Sequence, residues 1–269
     1  HEFFPFLQKT DLHISSKNSF PHSAGIASSA SAMSALALCL CSIDAYLSGK
    51  KLHGKDFFSR ASHIARLGSG SACRSVFGGY VTWGKHQKYP DLSDDFASPV
   101  CPDDIHPGFQ NMRDSILVVS SSKKHVSSSS GHQLMQLNPY ATTRFENANN
   151  NFEELYKSMK IGDFEQFAEI LEYEALSLHA MMMISRPGYI LLEPGSLKII
   201  EQIRNLRTKE ALPVTFTIDA GPNIHLIYPE NEKERIQSFI RDNLVKFCEN
   251  KIWIDDKTGK GPKKINELI

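Results

Sequence analysis

Apolar positions recur at helical spacing along much of this chain, and short unbroken apolar runs lie between them. "HSAGIASSASAMSALALCLCSIDAYL" places small residues at a loop and first turn, follows them with good helix formers and stops near Gly49, which predicts a helix. "GKDFFSRASHIARLGSGSACRSVFGGYVTWGKH" predicts a helix to about Leu67, a glycine-serine loop, a short helix and a strand at Tyr80 to Trp83. In "DFEQFAEILEYEALSLHAMMM", Phe164, Phe167, Leu171, Leu178 and Met182 fall near one helical face. Further helices are predicted around Ser196 to Arg207 and Lys233 to Phe247. Alternation in "LHISSKNSFP" predicts a strand entering a loop at Pro21, and "DSILVVSS", "VTFTIDAG" and "IHLIY" predict buried strands. "KKHVSSSSGHQLM" is expected to be a polar loop feeding a helix, and the chain after Phe247 a ragged basic tail. Four prolines between Lys88 and Gln110 suggest a surface excursion. Strands and helices alternate without strict strand-helix-strand rhythm, so an α+β fold of two domains is expected, 1–110 and 111–269.

Charge and cysteine content narrow the classes. With 30 basic and 30 acidic side chains the chain has no net field to steer it toward nucleic acid or a membrane surface, so an anionic ligand must be met locally. Five cysteines without a regular framework fit buried, reduced thiols and a cytoplasmic location. Cys39 and Cys41, two apart on a helix, point away from each other and make no metal clip. The most apolar stretch, Ala35 to Ile43, is too short to span a bilayer and is expected to be a core helix. His22, His132, His179 and His225 lack metal-binding spacing; His179 is expected to pack on its helix, and the Met181 to Met183 run to fill core. Arg204 to Lys209 and Lys251 to Lys264 are expected to be solvated faces.

Four stretches carry candidate chemistry. The glycine-containing loop entering the first long helix offers unpaired N–H groups and the positive end of a helix dipole, which suit a phosphate. Gly25 lets backbone approach closely, and Ser28, Ser29 and Ser31 add hydroxyls or reach Mg²⁺. The residues alone equally allow a plain core helix. No G-x-x-x-x-G-K-[ST] is present, and in "GSGSACRS" Cys73 stands where a dinucleotide fold needs its third glycine. That loop still crowds Ser69, Ser71 and Arg74 together, and arginine offers a planar fork to a carboxylate or phosphate; the ordinary alternative is a salt bridge to a neighbouring acid. Asp219, between an apolar strand and a Gly-Pro turn, is placed to accept or orient a hydroxyl proton, or simply to cap the turn. "VSSSSGHQ" is either a third anion-contacting loop or a solvated linker.

In their order, "FPHSAGIASSAS", "ARLGSGSACRSVFGGYVTW" and "FTIDAGPN" resemble the mevalonate diphosphate decarboxylases of the GHMP small-molecule kinase superfamily, with "LVVSSSKKHVSSSSGHQ" and "LHA" fitting less tightly. The resemblance implies a two-domain α+β GHMP-kinase-like fold with the active site in the inter-domain cleft. It implies ATP-dependent decarboxylation of 5-diphosphomevalonate to isopentenyl diphosphate. Under it, Asp219 corresponds to the catalytic aspartate and Arg74 to the arginine that grips the substrate carboxylate. Ser69, Gly70, Ser71 and Ser128 match substrate contacts, and Ala24, Gly25, Ala27, Ser28 and Ser29 match the ATP phosphate loop, with Ser29 at Mg²⁺. The partners implied are diphosphomevalonate, ATP and a second copy in a homodimer, with no nucleic acid or membrane. The family's "KYWGK"-like strand has no counterpart before Phe20, so a missing upstream part is expected. A mevalonate or phosphomevalonate kinase of the same fold, or an inactive nucleotide-binding homologue, is the rival reading.

Overall fold

Small side chains set how the first helices meet. In the computed structural model, which describes residues 2–20, 27–51, 53–122 and 138–265, the chain forms two compact units. Of the described residues, the first takes in 2–20, those of Ala27–Cys101 and 259–265, and the second those of Pro102–Thr258. In the first unit, α1 (Ser28–Leu47) and α2 (Lys55–Gly68) lead to a 3₁₀ helix, Gly70–Val76, and a two-stranded ribbon of β1 (Val81–Thr82) and β2 (Ser98–Pro99). The buried stripe of α1 is Ala30, Ser34, Ala37, Cys41 and Ala45, and Ala61 and Ala65 answer it from α2. Met33 of α1 packs on the end of α2, where a Cβ on Gly68 would stand 2.7 Å from its sulfur. Arg60 ties the pair by binding Asp44 of α1 at 2.6 Å. The whole of α1 is 20 residues, longer than the apolar stretch read from sequence and apolar enough overall to match a membrane span by length and composition alone.

In the second unit, β3 (Met112–Leu117), β4 (Thr215–Thr217), β5 (Ile224–Pro229) and β6 (Trp253–Lys257) make an antiparallel sheet in the order β4-β5-β3-β6. Leu117 lies opposite Ile224, and Leu226 lies opposite Ser115 and Phe216. That face packs with Ile199 and Ile203 of α6 (Pro194–Glu210) and Ile236 of α7 (Lys233–Phe239), which continues as an irregular helix carrying Ile240 and Leu244. Two further helices, α4 (Ala141–Ile161) and α5 (Phe164–Met183), are joined by Gly162 at φ +86° and by Asp163, whose side chain caps α5 on the Gln166 amide at 3.0 Å.

Several expectations change. The alternating segment 11–20 forms no strand: Leu12 and Ile14 are exposed, and no described strand offers it a ladder. The proline-rich stretch is not simply a surface excursion, because Phe109 of α3 (Pro107–Gln110) is buried and stacks near Phe164 and Phe167 of α5. The two compact units meet in sequence at Cys101 and Pro102. Arg204 stays exposed on the expected solvated face and Arg207 is largely covered, yet both bind the buried Glu172 of α5, at 2.8 and 2.5 Å, and Thr215 reaches the same carboxylate at 3.2 Å. A buried carboxylate needs such partners. The buried line of α5 therefore includes Glu172 and His179 as well as Phe167, Ala175 and Met182. Met183 stays exposed while Met181 and Met182 fill core. The basic tail hides β6, whose Asp255, Asp256 and Lys257 charge an edge strand against further pairing. Cys39 and Cys101 are exposed, unlike the other three thiols.

Gly162→Ala is expected to cost about 1–3 kcal/mol, because the added Cβ would meet the His106 ring at 2.8 Å on a left-handed backbone; thermal unfolding reads the change, and an unchanged midpoint contradicts it. Burial pushes the Cys41 and Cys248 thiols up to about 11 and raises Cys73 as well. Raised values keep these groups as neutral thiols through neutral and mildly alkaline pH. A disulfide-exchange reagent at pH 8 should thus label Cys39 and Cys101 quickly and the remaining three only on unfolding.

Candidate active site

The first unit contributes a helix start and a tight loop. Ala27 caps α1 in the left-handed region, φ 53° and ψ 42°, with no side-chain cap. Its carbonyl takes the amides of Ala30 at 3.0 Å and Ser31 at 3.2 Å, so the amides of Ser28 and Ser29 precede any intrahelical acceptor. An alanine held there costs about 1–2 kcal/mol. The Ser29 hydroxyl lies 3.2 Å from that of Ser69, which brings the two serine-bearing loops into contact. Among the described residues no group of three or more His, Cys, Asp or Glu side chains gathers to hold a metal. The donors present at this end are hydroxyl oxygens, the hard ligand type that Mg²⁺ accepts beside phosphate oxygens.

The loop after α2 is held from below. Ala72, Cys73 and Val76 are fully buried, whereas Arg74 on the same 3₁₀ turn is exposed and Ser71 half-buried. The Ser62 hydroxyl, itself buried, donates to the Cys73 carbonyl at 2.8 Å and accepts from the Ala97 amide at 2.9 Å. Gly70 lies under Trp83, whose ring would stand 3.3 Å from a Cβ there, and the Trp83 indole N–H donates to the Asp94 carbonyl at 2.9 Å. The turn is therefore fixed while the Arg74 guanidinium points away from the core. Among the described residues it has no acid partner and no hydrogen bond, so the salt bridge that is arginine's ordinary fate is not formed among them.

The second unit presents Asp219 directly after β4. Ile218 is buried and Asp219 exposed. Its backbone carbonyl accepts from Nε2 of His179 at 3.1 Å and from the Gly221 amide at 2.7 Å, and its carboxylate accepts from the Ala220 amide at 2.8 Å. A carbonyl only accepts, so Nε2 of His179 carries the proton. The turn is held again at Pro222, whose carbonyl takes the Ser196 hydroxyl at 2.6 Å, and at Asn223, which accepts from the Ser120 amide at 3.0 Å. Ser196 also closes the capping box of α6. Just beyond, Ser121 donates its amide and hydroxyl to Glu249, which holds that carboxyl below its usual range and fixes the exit from β3.

Ser29 meets Ser69, and Gly70, Ser71 and Arg74 share one turn of the first unit; Asp219 belongs to the second. Ala24, Gly25 and Ser128 lie outside the described residues. Sequence reasoning missed the supports: Ser62 and Ser196 carry no motif of their own, and Trp83, though it ends the quoted glycine-serine motif, was given no role. His179 was expected only to pack, and it does, at 1% exposure, while also holding the Asp219 backbone. A separate open groove of about 630 Å³, between α5 and α6 and lined by Glu165, Glu169, Tyr173 and Arg204 among others, contains none of these groups.

The profile described as the Diphosphomevalonate decarboxylase-like N-terminal domain matches residues 2–97, and that of the Mevalonate 5-diphosphate decarboxylase C-terminal domain matches 115–266. The diphosphomevalonate decarboxylase of Candida albicans is 35% identical over 238 residues, covering 88% of this chain and 62% of that protein. The chain thus spans about three fifths of the length of such relatives. A crystal structure of a mevalonate diphosphate decarboxylase from Legionella pneumophila superposes with a TM-score of 0.74 at 28% identity, covering 88% of this chain and 69% of that one. A complex of MDDEF with MVAPP, AMPPCP and magnesium gives 0.71 at 27% identity, with coverages of 90% and 68%. The α+β architecture, the two matched regions and these likenesses agree, and the chain belongs to the diphosphomevalonate decarboxylase family.

Proposed function

We propose that this chain carries the machinery for ATP-dependent decarboxylation of 5-diphosphomevalonate to isopentenyl diphosphate, carbon dioxide, ADP and phosphate. The observation that carries this reading is Arg74: an exposed guanidinium on a buried turn, without an acid partner among the described residues. A planar fork so placed suits a carboxylate, and a decarboxylase must hold that group in line for loss of carbon dioxide. Asp219, on a turn fixed at its carbonyl by His179, is the group that accepts or orients the proton of the tertiary hydroxyl as it takes the phosphoryl group. Departure of that phosphate and loss of carbon dioxide then leave the double bond of the product.

The relative crystallised with MVAPP, AMPPCP and magnesium supports the same ligand set here. In this chain Ala24, Gly25, Ala27, Ser28 and Ser29 would meet the nucleotide phosphates, and the Ser29 hydroxyl would ligate Mg²⁺. The ion, when bound, neutralises charge on the phosphates. Ser69, Gly70 and Ser71 would line the substrate beside Arg74, with Ser128 as a further contact. A homodimer in the cytoplasm goes with this reading on family resemblance alone.

The test is to follow carbon dioxide and ADP together with diphosphomevalonate as substrate. Equal release of both is expected; ADP without carbon dioxide would assign the chain to the kinases of this fold, and binding without turnover to an inactive homologue. Asp219→Asn should lower kcat by about a hundredfold or more and leave substrate affinity nearly unchanged. An equal loss of affinity contradicts the role given to the carboxylate.

A further inference from the structure

The chain from Gly259 onward returns to the first unit, and it is backbone that makes the contact there. The Gly79 amide donates to the Gly259 carbonyl at 2.9 Å. A Cβ on Gly78 would stand 2.5 Å from the Lys260 carbonyl carbon and 2.6 Å from the Gly261 nitrogen. From the other side, a Cβ on Gly261 would stand 2.9 Å from the Gly78 nitrogen, and Gly261 is itself left-handed at φ +83°. Beyond it Pro262, Lys263, Lys264 and Ile265 are all exposed, so this tail is not held by apolar burial.

What the contact immobilises is a Gly-Gly pair, the freest backbone a chain can have, directly after the turn that carries Arg74. The Phe77 amide closes that turn on the Arg74 carbonyl at 3.2 Å. Upstream of Arg74 the Ser62 hydroxyl fixes the Cys73 carbonyl. Downstream, among the described residues, it is the tail that meets Gly78 and Gly79: the ordinary side-chain anchors are missing from two residues without side chains. The Arg74 turn is therefore clamped at both ends, and its second clamp comes from the far end of the sequence.

We infer that the seat of Gly261 on Gly78 positions Arg74, so that the C-terminal tail sets how well the guanidinium meets a substrate carboxylate. This rests on the assignment of Arg74 to that carboxylate. Gly78 and Gly261 act through Arg74 and touch no substrate themselves. Their effect should consequently be confined to ligands that own a carboxylate.

Diphosphomevalonate carries one and isopentenyl diphosphate does not, while both carry the diphosphate, so calorimetric affinities for the two ligands separate the cases. Gly78→Ala and Gly261→Ala, which break the same seat from opposite sides, should each weaken diphosphomevalonate about three- to tenfold and leave isopentenyl diphosphate unchanged. Arg74→Ala should show the same selectivity with a loss of about 10- to 100-fold. Lys263→Ala, on the exposed part of the tail, should alter neither affinity. Equal loss for both ligands in the two glycine variants, or no loss in either, overturns the inference, as does a Lys263→Ala variant that weakens both. If Arg74→Ala is selective and the glycine variants bind like the parent, the tail's role alone falls. If Arg74→Ala itself is not selective, the assignment of Arg74 falls and takes the tail's role with it.

Discussion

The turn that carries Arg74 depends on glycines that admit close neighbours on and around it. Gly68 lies on Met33, Gly70 under Trp83 and Gly78 on the Lys260–Gly261 peptide. Each contact fixes the turn from a different side. The buried Ser62 hydroxyl adds a fourth restraint on the Cys73 carbonyl. A turn held this way fixes the backbone from which the exposed Arg74 side chain extends, and a guanidinium offers an anion a planar, two-pronged grip.

The second unit solves the same problem differently. Asp219 is presented by a turn whose carbonyls and side-chain oxygens are taken up one after another, by His179 from α5, Ser196 from α6 and the Ser120 amide beyond β3. Each anchor is buried or half-buried and satisfied, so the carboxylate is exposed on a support that costs little to keep rigid. Where the first unit uses glycines to admit close contact, the second uses hydrogen bonds from two helices.

Much of this was legible in the sequence, and the reasons are local. The apolar runs at Ser115 to Val119 and Ile224 to Tyr228 read as strands because both are buried in the sheet, and α1 and α2 read as helices from composition and from the glycines that stop them. What failed was whatever depends on a distant partner. Arg204 and Arg207 look like surface charge until Glu172, thirty-odd residues earlier, is seen buried against them. Residues 11–20 alternate as a strand does, yet alternation supplies no ladder. β6 is masked by the charges that protect its edge, and α4 buries only Ala141, Ser158 and Met159, too few for its period to stand out. In the site, the motif residues could be named but their supports could not: a serine such as Ser62 or Ser196 is recognisable only once the carbonyl it serves is in place.

The proposed reaction needs both Arg74 of the first unit and Asp219 of the second. The most direct test is the kinetic cycle formed by the parent, Arg74→Ala, Asp219→Asn and the double variant, read as kcat/KM for diphosphomevalonate. Groups that serve one transition state should combine non-additively, with the double variant scarcely worse than the poorer single one. Losses that simply multiply would mean that the two residues work independently, and would contradict the shared role assigned to them.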